Sequence, residues 1–162
     1  MDVIELDRDE LEGDWGGGAE RFDVVAVRIN GEELRVLVVE TQRAELTQRW
    51  ETEDYPRENY ASLEDWLAPD HWMDYLGWGD VAPPSRHWLG EPDPILEERG
   101  RAAVLTCTCR CYGCGGAAAR ITIEDDDVVT WSDFRLANSD TLVPIGPFRF
   151  DRAAYEAAIA AL

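Results

Sequence analysis

Lysine is missing from this chain: all 15 basic residues are arginine, set against 34 acidic ones for a net charge of −19. Arginine used so evenly, with no basic stripe, argues against nucleic acid and anionic lipid surfaces as partners, because a field of that sign repels phosphates. It favours a basic protein partner instead. Histidine is scarce, with only His71 and His87. No apolar run approaches the roughly 20 residues of a membrane span, and the acidic start of the chain has no apolar core of signal-peptide length. The expectation is therefore a cytoplasmic protein without a membrane segment. Catalytic signatures are missing too. There is no phosphate-cradling glycine loop, no nucleophile elbow and no zincin helix, so no reaction can be assigned and enzyme status stays open.

What is present suits a folded protein. The chain has 162 residues, 45% hydrophobic and 10% aromatic with seven Trp, too apolar for a disordered segment and long enough for a substantial core. It reads as one domain over residues 1–162. Val3–Leu6 and Phe22–Ile29 read as strands, joined through a flexible turn at Trp15 and three glycines. Asn30-Gly31 after the second strand is both a hairpin signal and, with Glu33, a capping-box pattern. Leu34, Leu37 and Val38 then predict a helix over residues 32–45, against which the run Val36–Val39 argues for strand. Residues 48–100 form a Trp-rich irregular middle. Within it Ser62 caps a short helix carrying Leu63, Trp66 and Leu67, and a second short helix is expected over residues 70–76. Its tryptophans serve either as plugs on the core or as a binding surface.

From Arg101 onward, alternation predicts a three-strand antiparallel meander: Ala103–Cys107, Ala119–Glu124 and Val128–Phe134, with Asp125–Asp127 as a polar turn. Asp151 caps a last helix over residues 152–162, with Tyr155, Ala158, Ile159 and Leu162 on one face. The fold class is α+β: a mainly antiparallel sheet, a helix after the Asn30-Gly31 junction and a carboxy-terminal helix.

All four cysteines fall within eight residues, Cys107, Cys109, Cys111 and Cys114. Three chemistries suit that spacing. Were the strand to stay extended, Cys107, Cys109 and Cys111 would point to one face about 6.6 Å apart in turn, lying in the core as small hydrophobes. A zinc site would instead use some of these cysteines as tetrahedral ligands. Four ligands from one short stretch require tight chain reversal, so a distant ligand, His87 first and His71 or a carboxylate next, is the easier completion. Thiol redox through Cys111 and Cys114, or Cys107 and Cys114, is the third. The acidic surroundings and the strand that follows disfavour the stabilised thiolate it needs. A reducing compartment favours free thiols or metal thiolates over disulfides. Arg110 and Arg120 flank the cluster and are expected to face solvent. The charge also allows a weaker reading, an acidic mimic of nucleic acid.

His87-Trp88-Leu89-Gly90-Glu91, Cys107-x-Cys109 with Cys114 further on, Thr130-Trp131-Ser132-Asp133-Phe134 and Gly146-Pro147-Phe148-x-Phe150 together resemble a group of small bacterial proteins that share C-x-C-x4-C, T-W-S-x-F and G-P-F-x-F. The resemblance covers roughly residues 88–162. It implies a core trio of Cys107, Cys109 and Cys114. The group has no established activity, so no catalytic residue carries over. Arg110 and Gly115 stand where the group has glycine and a bulky residue, and Cys111 is an additional thiol.

The charge argument has a direct test. Random duplex or single-stranded DNA should bind no tighter than micromolar at about 150 mM salt, as read by fluorescence anisotropy. Sub-micromolar binding would refute it.

Overall fold

The computed structural model describes residues 1–14 and 19–162. The expected turn at Trp15 and its glycines lies outside the described residues. On either side of it, β1 (Ile4–Asp14) and β2 (Ala19–Ile29) run antiparallel over their whole length, from Ile4 opposite Ile29 to Asp14 opposite Ala19. Val25, Val27 and Ile29 alternate into the core. Cross-strand ion pairs such as Arg28 with Asp7 and Arg21 with Glu12 occupy the more exposed positions.

Asn30-Gly31 does what a hairpin signal predicts. Both residues take positive φ, 54° and 84°, and the turn pairs β3 (Glu32–Glu33) with Arg28 and Ile29. Helix α1 (Leu34–Glu40) starts immediately after, from Glu33, without a side-chain cap. The capping-box reading of Asn30 therefore fails. Its side chain instead accepts from the Val3 N–H at 2.9 Å and donates to Asp2 at 2.9 Å, tying the turn to the start of the chain. The single helix expected over residues 32–45 is in fact α1 and α2 (Arg43–Thr52). At the break the backbone tightens: the Thr41 and Gln42 N–H groups bond the Val38 and Val39 carbonyls, three residues back, at 3.2 and 2.9 Å, and the Thr41 hydroxyl donates to the Val38 carbonyl at 2.6 Å. Bonds of this shorter span are the usual way a helix end closes.

The middle is more ordered than its composition suggests. Besides α2, it contains α3 (Asp54–Asn59) and α4 (Leu63–Leu67), the latter capped by Ser62, whose hydroxyl accepts from the Asp65 N–H at 3.1 Å. The helix expected over residues 70–76 is absent. A 3-10 turn at Pro69–His71 leads instead to β4 (Asp74–Tyr75), which pairs with the second sheet. Next come α5 (Trp78–Val81), a 3-10 turn at Pro94–Leu96 and β5 (Glu97–Glu98). Two of its tryptophans are core plugs, while Trp50, Trp72 and Trp78 pack half-buried against the core. Trp66 and Trp88 are fully buried, and their indole N–H groups reach the Leu46 and Ala103 carbonyls at 2.8 and 2.9 Å. Trp78 bonds the Leu162 carbonyl at 2.7 Å. Burying an indole with its one donor satisfied removes the cost of desolvating it.

The meander appears as expected. Strands β6 (Arg101–Thr106), β7 (Gly116–Ile123) and β8 (Val128–Leu136) are successive antiparallel neighbours, and β9 (Phe148–Asp151) extends them. The sheet order is β4-β6-β7-β8-β9, with β5 also on β6. The two sheets meet where the Val25 N–H donates to the Leu76 carbonyl at 3.0 Å, and one cluster of buried residues draws on both. Helix α6 (Arg152–Ala160) closes the chain, with Asp151 accepting from the Ala154 N–H at 2.8 Å. Tyr155 and Ile159 are buried on its inner face. The architecture is α+β. Among the described residues, no helix is long and apolar enough to cross a membrane.

Ile159→Ala should cost about 2–5 kcal/mol, as truncation of a buried aliphatic does, and Asp151→Ala about 1 kcal/mol through the lost cap. Urea denaturation measures both. A loss below about 0.5 kcal/mol for Ile159→Ala would rule out docking of α6 on the core.

Candidate metal centre

The thiols stand on a rigid base. Every residue of β6 is buried, and the strand stops at Thr106, one residue before the first cysteine. The chain then turns at once. The Arg110 N–H bonds the Cys107 carbonyl at 2.8 Å, and Arg110 and Gly113 take positive φ, 68° and 107°. Gly116, at φ 106°, starts β7. A Cβ there would lie 2.3 Å from the Leu105 carbonyl oxygen and 2.9 Å from Thr106 Cα, so only glycine lets the returning strand come this close to β6. A Cβ on Gly115 would meet Cys107 Cβ at 3.1 Å. The two small residues thus bring the ends of the loop, and with them Cys107 and Cys114, to each other.

This geometry overturns the extended, core-facing row of thiols. Cys107 is half-buried; Cys109, Cys111 and Cys114 are exposed. The loop turns away from the core because the positive-φ positions reverse it before a second inward-facing cysteine can be laid down. Arg110 departs from expectation in the opposite sense. Its side chain folds inward, 15% exposed, to pair with Asp74 of β4 at 3.4 Å, and its guanidinium lies 5.4 Å from the Phe22 ring centre. Tyr112 also points back, its hydroxyl donating to Glu98 of β5 at 3.2 Å. Two anchors, Arg110 on β4 and Tyr112 on β5, pin the loop to the edge of the sheet and leave its sulfurs outward.

The Sγ atoms of Cys107, Cys109 and Cys114 lie within 4.8 Å of one another, and no other group of His, Cys, Asp or Glu among the described residues converges in this way. Cys109 and Cys114 are the nearest pair at 2.8 Å, well beyond the roughly 2.05 Å of a disulfide bond. A tetrahedral zinc ion with Zn–S near 2.3 Å separates its sulfurs by about 3.8 Å, a spacing within the reach of this triad. The trio implied by the resemblance is the one brought together. Cys111 stands beside Cys109 but its sulfur is outside the triad.

The sulfurs divide their protons unequally. Cys109 is lowered to about 7, first by a hydrogen bond from the Cys114 thiol, then by the Cys111 backbone N–H and the Cys107 thiol. Cys114 is pushed up to about 12, chiefly because its proton is held on the Cys109 sulfur. Cys111 is raised by the charge on Cys109. Of these, Cys109 is the first to lose its proton, near neutrality. A thiolate is thus stabilised by its neighbouring thiols, without the helix amino terminus that such groups commonly use.

His87, the expected outside ligand, is fully buried and already committed. Its Nδ1 accepts from the Asp93 N–H at 3.0 Å, which places the ring proton on Nε2, where it donates to the Ala103 carbonyl at 2.9 Å. With both nitrogens occupied it has no lone pair for a metal, and it stands outside the triad. His71 packs against Tyr60, 5.1 Å between ring centres. Sequence reasoning missed Asp74, the partner of Arg110; a two-residue strand carries no signal of its pairing.

Compared with family models, curated proteins and solved structures, the chain finds no match.

Burial holds the His87 ring below its ordinary value of 6.5. The unfolded chain therefore takes up a proton there before the folded chain does, and stability falls as pH drops below about 6.5 toward the lowered native value. A His87→Gln variant should be less stable at neutral pH but flatter between pH 6.5 and the acid limit. Melting curves across that range test it; an unchanged slope in the variant would clear His87 of the effect.

Proposed function

We propose that this protein is a metal-binding interaction module of a reducing cytoplasm, in which Cys107, Cys109 and Cys114 hold a zinc ion. The convergence of three sulfurs within 4.8 Å carries the reading. Soft thiolates select zinc and related thiophilic ions over hard cations, and the lowered Cys109 supplies a thiolate near neutral pH. A buried sheet beneath an exposed thiol loop supports binding rather than core packing. The charge of −19 favours a basic partner.

Thiol redox is a second reading, favoured by the 2.8 Å approach of Cys109 and Cys114. These are not the pairs that spacing alone suggested. In that case mild oxidation of metal-free protein would yield one disulfide between Cys109 and Cys114, found by peptide mapping.

Elemental analysis of protein purified without added metal decides for or against zinc. The expected result is about one zinc per chain, lost on Cys107→Ser, Cys109→Ser or Cys114→Ser. Because thiolate ligands release protons on binding, affinity should fall as pH drops, and chelation should lower the melting temperature. Less than about 0.1 metal per wild-type chain, with a melting temperature indifferent to chelator, would overturn the reading.

A further inference from the structure

A structural zinc site is closed by four protein ligands, whereas a site with three keeps a position for something else. Of the described residues, only Cys107, Cys109 and Cys114 converge. The nearby candidates for a fourth place are engaged. Asp74 holds Arg110 and accepts from the Tyr75 N–H at 2.8 Å. Glu98 takes the Tyr112 hydroxyl, and both His87 nitrogens are bonded to backbone. Cys111 is the nearest competitor. Its sulfur meets that of Cys109 but lies outside the triad, and the next residue, Tyr112, is tied to Glu98 and bridges to Gly115.

The open side faces solvent, since Cys109, Cys111 and Cys114 are exposed. Electrostatics then selects the donor. Three thiolates around a divalent ion already sum to one negative charge, on a chain carrying −19. A carboxylate or another thiolate would add a second charge against that field, whereas an imidazole adds none. A net charge of −19 also attracts positively charged partners to the chain.

We propose that the metal centre keeps its fourth position open and takes there a neutral nitrogen donor, a histidine imidazole presented by a positively charged partner protein. The proposal rests on the metal-binding reading above. The triad is thereby a recognition site: affinity comes from charge at long range and specificity from one metal–nitrogen bond at contact.

Cobalt(II) in place of zinc gives the site visible ligand-field bands, and free imidazole serves as the probe. In the full-length chain loaded with one cobalt, imidazole should shift those bands saturably, while the thiolate-to-cobalt charge-transfer absorption remains. Cys111→Ser should change cobalt affinity less than about tenfold and keep the imidazole response. Cys109→Ser should weaken cobalt more than about 100-fold, beyond the loss of an outer neighbour. Bands that ignore imidazole, charge-transfer absorption that disappears as imidazole strips the ion, or a Cys111→Ser variant that loses cobalt as severely as Cys109→Ser would each overturn the open site while leaving metal binding intact. A wild-type chain that takes up no cobalt or zinc would remove both.

Discussion

One hydroxyl joins three parts of the chain. Tyr155 of α6 donates to the Trp88 carbonyl at 2.8 Å and accepts from the Trp131 indole at 3.1 Å. All three side chains are buried, and their rings, with Phe150, meet edge to face or stacked at 5.4 to 6.3 Å. In such a dry setting an unpaired phenol or indole is costly and a paired one is strong, so helix, central strand and the end of the middle segment hold their positions together. Burial pushes the Tyr155 phenol far upward, keeping it a neutral donor. The middle segment would otherwise be a long excursion. Fixed at Trp88, it delivers β5 and the His87 ring to the flank of β6, both through backbone contacts.

That rigidity is what makes an exposed thiol loop informative. β6 is locked by β4 and β5 on one side and β7 on the other. The loop leaves and re-enters this sheet through positions with no freedom: a buried Thr106 at one end and the Gly116 close approach at the other. Arg110 and Tyr112 hold its two shoulders. The sulfurs of Cys107, Cys109 and Cys114 are consequently juxtaposed by the fold rather than by their own attraction. Preorganisation of this kind lowers the ordering cost of binding an ion. Surface ion pairs elsewhere, such as Arg43 with Glu40 and Arg152 with Glu156, are exposed and add little each. The net negative charge comes instead from the acidic residues in excess of the arginines, 34 against 15.

The chain's local chemistry determined a good part of this. Alternation in residues 101–134 marked the meander, because one buried face imposes a period of two. Asp151 and Ser62 marked helix starts, since a short oxygen-bearing side chain satisfies a free N–H wherever it sits. Asn30-Gly31 marked a hairpin through its tolerance of positive φ. The packing of four cysteines into eight residues pointed to the loop on which the sulfurs converge. Tertiary structure decided the rest. Residues 32–45 became two helices, closed off from each other by backbone bonds from Thr41 and Gln42 to carbonyls three residues back. Residues 70–76 became a turn and a strand because the edge of β6 offered ladder partners stronger than local helix propensity. His87 went into the core, where Asp93 and Ala103 consumed its nitrogens, and Arg110 went inward to an Asp74 distant in sequence. Above all, the face of the cysteines was out of local reach. Spacing sets side-chain direction only while a strand continues, and β6 ends at Thr106 because the return of β7 at Gly116 demands it. That is a contact between residues ten apart, and only the closed sheet enforces it.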